Sequence, residues 1–120
     1  MEISAKLQLK PGQRLATVTE TEAAPALAGP SAGVAGDPAA ADAVIAFVLT
    51  QAALDTVAGP AIEAARQDRL AWIAYPKARQ LGTDLNRDRL AAALAARGVQ
   101  PVRQISIDGT WSALRFRPAT

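Results

Sequence analysis

Cysteine and histidine are both absent from this chain of 120 residues. Without cysteine there is no disulfide, no thiolate nucleophile and no zinc site of the usual kind. Without histidine there is no Ser-His-Asp or Cys-His arrangement, and no side chain whose ordinary pKa lies near neutrality. Any catalysis is left to Asp, Glu, Lys, Tyr or Ser. Long apolar runs are missing too: the two longest, around residues 43–49 and 70–75, fall far short of the roughly 20 residues that span a bilayer. The start, Met1-Glu-Ile-Ser-Ala-Lys6, has no basic segment followed by an apolar one and no small-residue cleavage site, so a soluble, cytoplasmic protein without membrane contact is expected.

Glycine is missing where it would matter most. Arg14 to Thr19 is rich in β-branched residues and predicts a first strand, and a dinucleotide or adenosyl-methionine site needs a glycine-rich turn directly after such a strand. The chain instead reads Glu20-Thr-Glu-Ala-Ala-Pro25, with no glycine before Gly29 and two carboxylates where a phosphate would sit. No cofactor is therefore assigned.

What is present suffices for one domain, residues 1–120, since half of the residues are hydrophobic and can form a single core. Net charge is only +2 but unevenly spread: residues 1–60 carry three basic and six acidic side chains, residues 61–120 ten and five. A basic half can attract nucleic acid or small anions, and it can equally be a solvated arginine-rich surface. Nucleic acid is possible but not favoured, because the aromatics are not visibly interleaved with the arginines.

Lys10-Pro-Gly-Gln13 reads as a turn. Residues 20–41 are weakly structured by expectation: 23–41 hold nine Ala, three Pro and three Gly, with a short helix up to about Ala28 and a weak strand at Gly33-Val-Ala. Asp42 to Leu49 predicts a strand buried on both faces, and so does Leu70-Ala-Trp-Ile-Ala-Tyr-Pro-Lys77. Between them, Thr50 can cap the next helix, which Gly59-Pro60 breaks into two short pieces, about 51–58 and 60–66. Asn86 is a good N-cap for a helix over 87–96, Leu85 can staple onto Leu90, and Gly98 is placed to end the helix in the left-handed conformation. Residues 102–108 and 110–116 flank Asp108-Gly109 as a hairpin. The sum is a single Rossmann-like α/β domain: a mostly parallel, mixed sheet flanked by helices, with a C-terminal antiparallel hairpin.

Four motifs, Ala41-Asp-Ala-Val-Ile-Ala-Phe47, Leu70 to Lys77, Thr83-Asp-Leu85 and Trp111-Ser-Ala-Leu-Arg-Phe-Arg-Pro118, together resemble a family of small bacterial proteins, the domain of unknown function DUF3052. The similarity covers roughly residues 7–118. It implies a methyltransferase-like layout without the cofactor loop and a bacterial cytosolic origin. It implies no activity and assigns no functional residue.

The candidate site is accordingly read from position alone. Lys77 follows the central strand, at the edge where open α/β sheets bind ligands, and could hold a phosphate or carboxylate; it could equally close the strand and pair with Asp84 or a helix end. Tyr75, Thr83 and Asp84 could line the same crevice. Trp111, Ser112 and Arg115 are further candidates, with Trp111 and Ser112 facing opposite ways and the tryptophan better suited to the core. Three functions are compatible with this set. The first is a non-enzymatic, degenerate methyltransferase-like domain that binds a protein partner or a small anionic ligand near Lys77. The others are an atypical nucleotide-binding domain or enzyme using Lys77 and Asp84, and nucleic-acid binding by the basic half.

Overall fold

The computed structural model describes residues 7–8, 13–19, 33–34, 41–77 and 83–119. The expected turn at 10–13, the short helix before Ala28, most of the Ala/Gly/Pro-rich segment and the loop at 78–82 lie outside them. Among the described residues the chain forms β1 (Arg14–Thr19), β2 (Gly33–Val34), β3 (Ala43–Phe47), a 3₁₀ turn (Gln51–Ala53), α1 (Gly59–Arg66), β4 (Leu70–Pro76), α2 (Arg87–Ala95), β5 (Val99–Ser106) and β6 (Trp111–Pro118).

The six strands form one sheet in the order β2-β1-β3-β4-β6-β5. The pairs β1 with β2, β1 with β3 and β3 with β4 are parallel, and β6 runs antiparallel to both β4 and β5. This is the mixed, mostly parallel Rossmann-like sheet that strands alternating with helices imply. β3 is buried at every position and β4 at all but its first, as continuous apolar runs in a two-sided sheet require.

The two faces of the sheet are covered differently. Val44, Ala46, Ile73, Tyr75, Leu114 and Phe116 form one core with Ala61, Ile62 and Ala65 of α1 and Leu90 and Leu94 of α2. Ile45, Phe47, Trp72, Ala74, Trp111 and Ala113 form the other, with Leu7 and Leu15. Both described helices thus pack on a single face. On the opposite face the Phe47 and Trp111 rings meet edge to face, 5.1 Å apart at 84°, and the Trp72 indole N–H donates to the Leu7 carbonyl at 3.1 Å. That bond satisfies a polar group which burial would otherwise penalise.

Local chemistry sets the element ends. Asn86 caps α2, its side chain accepting from the Arg89 amide at 2.8 Å. Gly98 follows α2 with φ of 85°, the left-handed conformation that suits glycine after a helix. Asp68 fills the same role after α1 with φ of 58°, as the Asp68 amide bonds to the Ala65 carbonyl at 3.0 Å and the Arg69 amide to the Ala64 carbonyl at 2.9 Å. The Asp68 carboxylate then receives the Arg117 guanidinium through two bonds of 2.8 and 3.0 Å, fastening this turn to the end of β6.

Several expected boundaries are corrected. The segment after β3 is not a helix over 51–58 but a single 3₁₀ turn followed by further turns, and the true helix begins at Gly59, where Pro60 fits the first turn. Thr50 makes no side-chain capping bond; the Gln51 amide instead donates to the Asp84 carboxylate at 2.9 Å. The two hairpin strands lie further from the turn than expected: the first runs Val99–Ser106, beginning and ending before the expected 102–108, and the second Trp111–Pro118, beginning and ending after the expected 110–116. Their connection closes on the Asp108 carboxylate, which accepts from the Thr110 and Trp111 amides at 2.8 Å each. A register shift lies between Pro101 and Arg103 of β5, which is at one edge of the sheet.

Candidate functional site

The antiparallel register of β4 and β6 places Tyr75 directly opposite Ser112. Cross-strand partners share a face, so both side chains point to the side of the sheet where α2 begins. Between them, the segment 83–86, the first turn of α2 and Gln104 of β5 lies a cleft of about 670 Å³, within the range of small-molecule sites. It lies at the carboxyl end of β4, the edge from which open α/β sheets present ligands.

The segment between Thr83 and Asn86 is folded by its own polar groups. The Thr83 hydroxyl donates to the Leu49 carbonyl and accepts from the Leu85 amide at 3.0 Å. Asp84 receives the Gln51 amide on its side chain, while its carbonyl accepts from the Arg89 guanidinium at 2.9 Å. These bonds join the loop after β3 to the start of α2, with Leu85 and Leu90 buried in one core beneath.

Lys77 is held by the hairpin. Its ammonium donates to the Ser106 hydroxyl and to the Asp108 carbonyl at 2.6 Å each, and its amide donates to the Thr110 carbonyl at 2.7 Å. The lysine thus closes the strand, as one sequence reading allowed, with the hairpin turn as partner in place of Asp84. Its positive charge remains on the cleft wall.

Tyr75 is buried, and this desolvation raises its phenol above the ordinary value; Arg87 and a hydrogen bond with Ser112 oppose the shift. The phenol therefore stays protonated at neutral pH. It accepts a long bond from the Gln104 amide at 3.4 Å, which leaves its proton available for donation. Arg87 is exposed on the rim and, among the described residues, pairs with Asp88 at 3.9 Å. Among the described residues the cleft thus carries three cations, Lys77, Arg87 and Arg89, against one carboxylate, Asp84.

Five of the seven sequence candidates, Tyr75, Lys77, Thr83, Asp84 and Ser112, surround this cleft. Trp111 and Arg115 do not. Trp111 is buried in the core on the opposite face, and Arg115 stands opposite Trp72 on that same face. Alternation along β6 explains the split, because even-numbered positions from 112 to 116 face the helices and odd-numbered ones face away. Asn86, Arg87, Arg89 and Gln104 are wall residues that the sequence reading did not select. Two cations in the first turn of a helix that follows a strand's carboxyl end were the available signal for Arg87 and Arg89.

Among the described residues no group of three or more acidic side chains gathers as a metal site, and no helix is long and apolar enough to cross a membrane. No family model, curated protein or solved structure matches this chain.

Proposed function

We propose that this chain is a non-enzymatic, degenerate methyltransferase-like domain that binds a small anionic ligand in the cleft beside Lys77. The observation that carries the reading is the charge of that cleft among the described residues: Lys77, Arg87 and Arg89 against Asp84, with neutral donors supplied by Tyr75, Ser112 and Gln104. Such a set stabilises a carboxylate or phosphate through charge and directed hydrogen bonds together. The same groups are poorly placed for proton transfer. The Tyr75 phenol is pushed away from neutrality, the Asp84 carboxylate accepts a backbone amide, and the Lys77 ammonium is committed to the hairpin. The absence of histidine, cysteine and a glycine loop after β1 supports the same reading, as does the resemblance to the bacterial DUF3052 proteins. The cytoplasm, where small phosphorylated and carboxylated metabolites are abundant, is the setting proposed for it.

A thermal-shift titration tests this directly. A ligand at 100 times its Kd stabilises the fold by about 2.7 kcal/mol, which raises the Tm of a domain of this size by roughly 10 °C. Phosphate, pyrophosphate, citrate and adenosine monophosphate are the probes, and at least one is expected to produce a dose-dependent rise that Arg87→Gln abolishes without changing the ligand-free Tm. No rise with any of them would remove the small anion and turn the search to a protein partner.

A further inference from the structure

The sheet face opposite α1 and α2 ends in arginines. Arg103 of β5 and Arg115 of β6 are direct cross-strand partners, so their side chains share a face, and Arg117, two residues further along β6, shares it too. Like charges placed directly opposite one another destabilise a sheet. Among the described residues one carboxylate answers these three cations: Asp68, committed to Arg117 through two bonds. Arg115 donates one guanidinium nitrogen to the Gln8 side chain at 2.6 Å, while its Nε is buried without a partner. Arg103 is exposed, with no hydrogen bond or ion pair among the described residues. A shallow hollow of about 270 Å³ opens beside them between Asp68, Gln100, Val102 and Arg117.

A charge on an edge strand also discourages other chains from pairing there. One arginine serves that purpose, and it does not call for a second directly opposite. The register shift just before Arg103 re-aims the strand at this point, as bulges beside binding sites do. The aromatics of this face, Phe47, Trp72 and Trp111, are at most 1% exposed, so no ring is available to stack on a base. Whatever binds here is recognised by its oxygens.

We propose that Arg103 and Arg115, with Arg117 beside them, form a second anion site that grips a phosphoryl group, distinct from the cleft beside Lys77. Guanidiniums from two neighbouring strands can offer paired N–H donors to one phosphoryl group. The phosphoryl group comes from a free phosphorylated molecule or from a nucleic-acid backbone read without base contacts.

The test is a titration of the purified protein with inorganic tripolyphosphate by calorimetry and with a short labelled DNA duplex by fluorescence anisotropy. Arg103→Gln is the decisive variant, because its wild-type side chain has no partner to lose among the described residues; its Tm is expected to equal or exceed that of the wild type. Tripolyphosphate affinity should fall about tenfold or more in this variant, the effect of one charge-assisted bond. Binding of tripolyphosphate alone assigns the free molecule. Duplex binding that tripolyphosphate displaces assigns the nucleic-acid backbone; its affinity should then drop roughly 10- to 40-fold between 50 and 200 mM salt, as for two or three phosphate contacts. Failure of both probes to bind, or full affinity in Arg103→Gln, overturns the proposal. Loss in Arg87→Gln with Arg103→Gln unaffected would place the anion in the cleft beside Lys77, and would overturn this site while leaving the other reading intact.

Discussion

The two faces of the sheet solve the same packing problem with different residues. The helix-bearing face uses small side chains: Ala46 and Ala71 on the strands meet Ala58, Ala61, Ala64 and Ala65 on and beside α1, and small residues let a helix approach closely. The opposite face is built on Phe47, Trp72 and Trp111, whose bulk closes it with Leu7 and Leu15. The polar ends of the faces differ in the same way. Above the alanine-lined face the cations Lys77 and Arg89 are tied to carbonyls and a hydroxyl, leaving Arg87 on the rim. Below the tryptophan-lined face, arginines confront each other across the ladder. A cation whose donors are fixed by the fold shapes a wall, whereas one whose donors meet water can exchange that water for an anion.

This contrast can be broken at the aromatic core first. Trp72→Ala removes a fully buried indole and leaves the Leu7 carbonyl without its donor, and is expected to cost about 3–5 kcal/mol, read as a fall in the denaturant midpoint. A loss under 1 kcal/mol would mean that the face is not a packed core. Next comes the fixed cation: Lys77→Met keeps the stem but removes both hairpin bonds, at an expected cost of about 1–3 kcal/mol. An unchanged stability there, with ligand-induced shifts abolished, would return Lys77 to a purely ligand-holding role.

The smallest effect sharpens the comparison at the arginine face. The hydrogen bond from Arg117 holds the Asp68 carboxyl below its ordinary value of 3.8; desolvation opposes the shift, and the charges of Arg117 and Arg115 add to it. A carboxyl lowered in the folded state adds stability above the unfolded pKa, and this is lost as pH falls through the folded value. Asp68→Asn should therefore melt below the wild type at neutral pH, with the gap closing under about pH 3.8. A gap independent of pH would assign the loss to backbone geometry at the left-handed position instead.

Much of this was legible in the chain because it depends on neighbours. The apolar run of Leu70 to Pro76, the Asn86 cap and the glycine after α2 are local signals, and each appears where the spacing puts it. Thr50 makes no capping bond, and the first amide of that turn, on Gln51, is instead met by Asp84 from 33 residues away, which no local pattern announces. β5 extends back to Val99 because Gln100 and Pro101 are recruited by Arg117 and Phe116 across the ladder. Trp111 and Arg115 were separable from Ser112 by strand parity alone; which parity faced the helices was not.

The walls of the cleft have one more consequence, for the order in which the molecule forms. Thr83 reaches Leu49 and Asp84 reaches Gln51 across 34 and 33 residues, and Lys77 reaches Ser106 and Asp108 across 29 and 31. Contacts so distant in sequence form only after loop closure has brought β3, β4 and the hairpin together. The cleft therefore cannot form before those elements have met on refolding, and a ligand seated in it would favour the state in which they stay together.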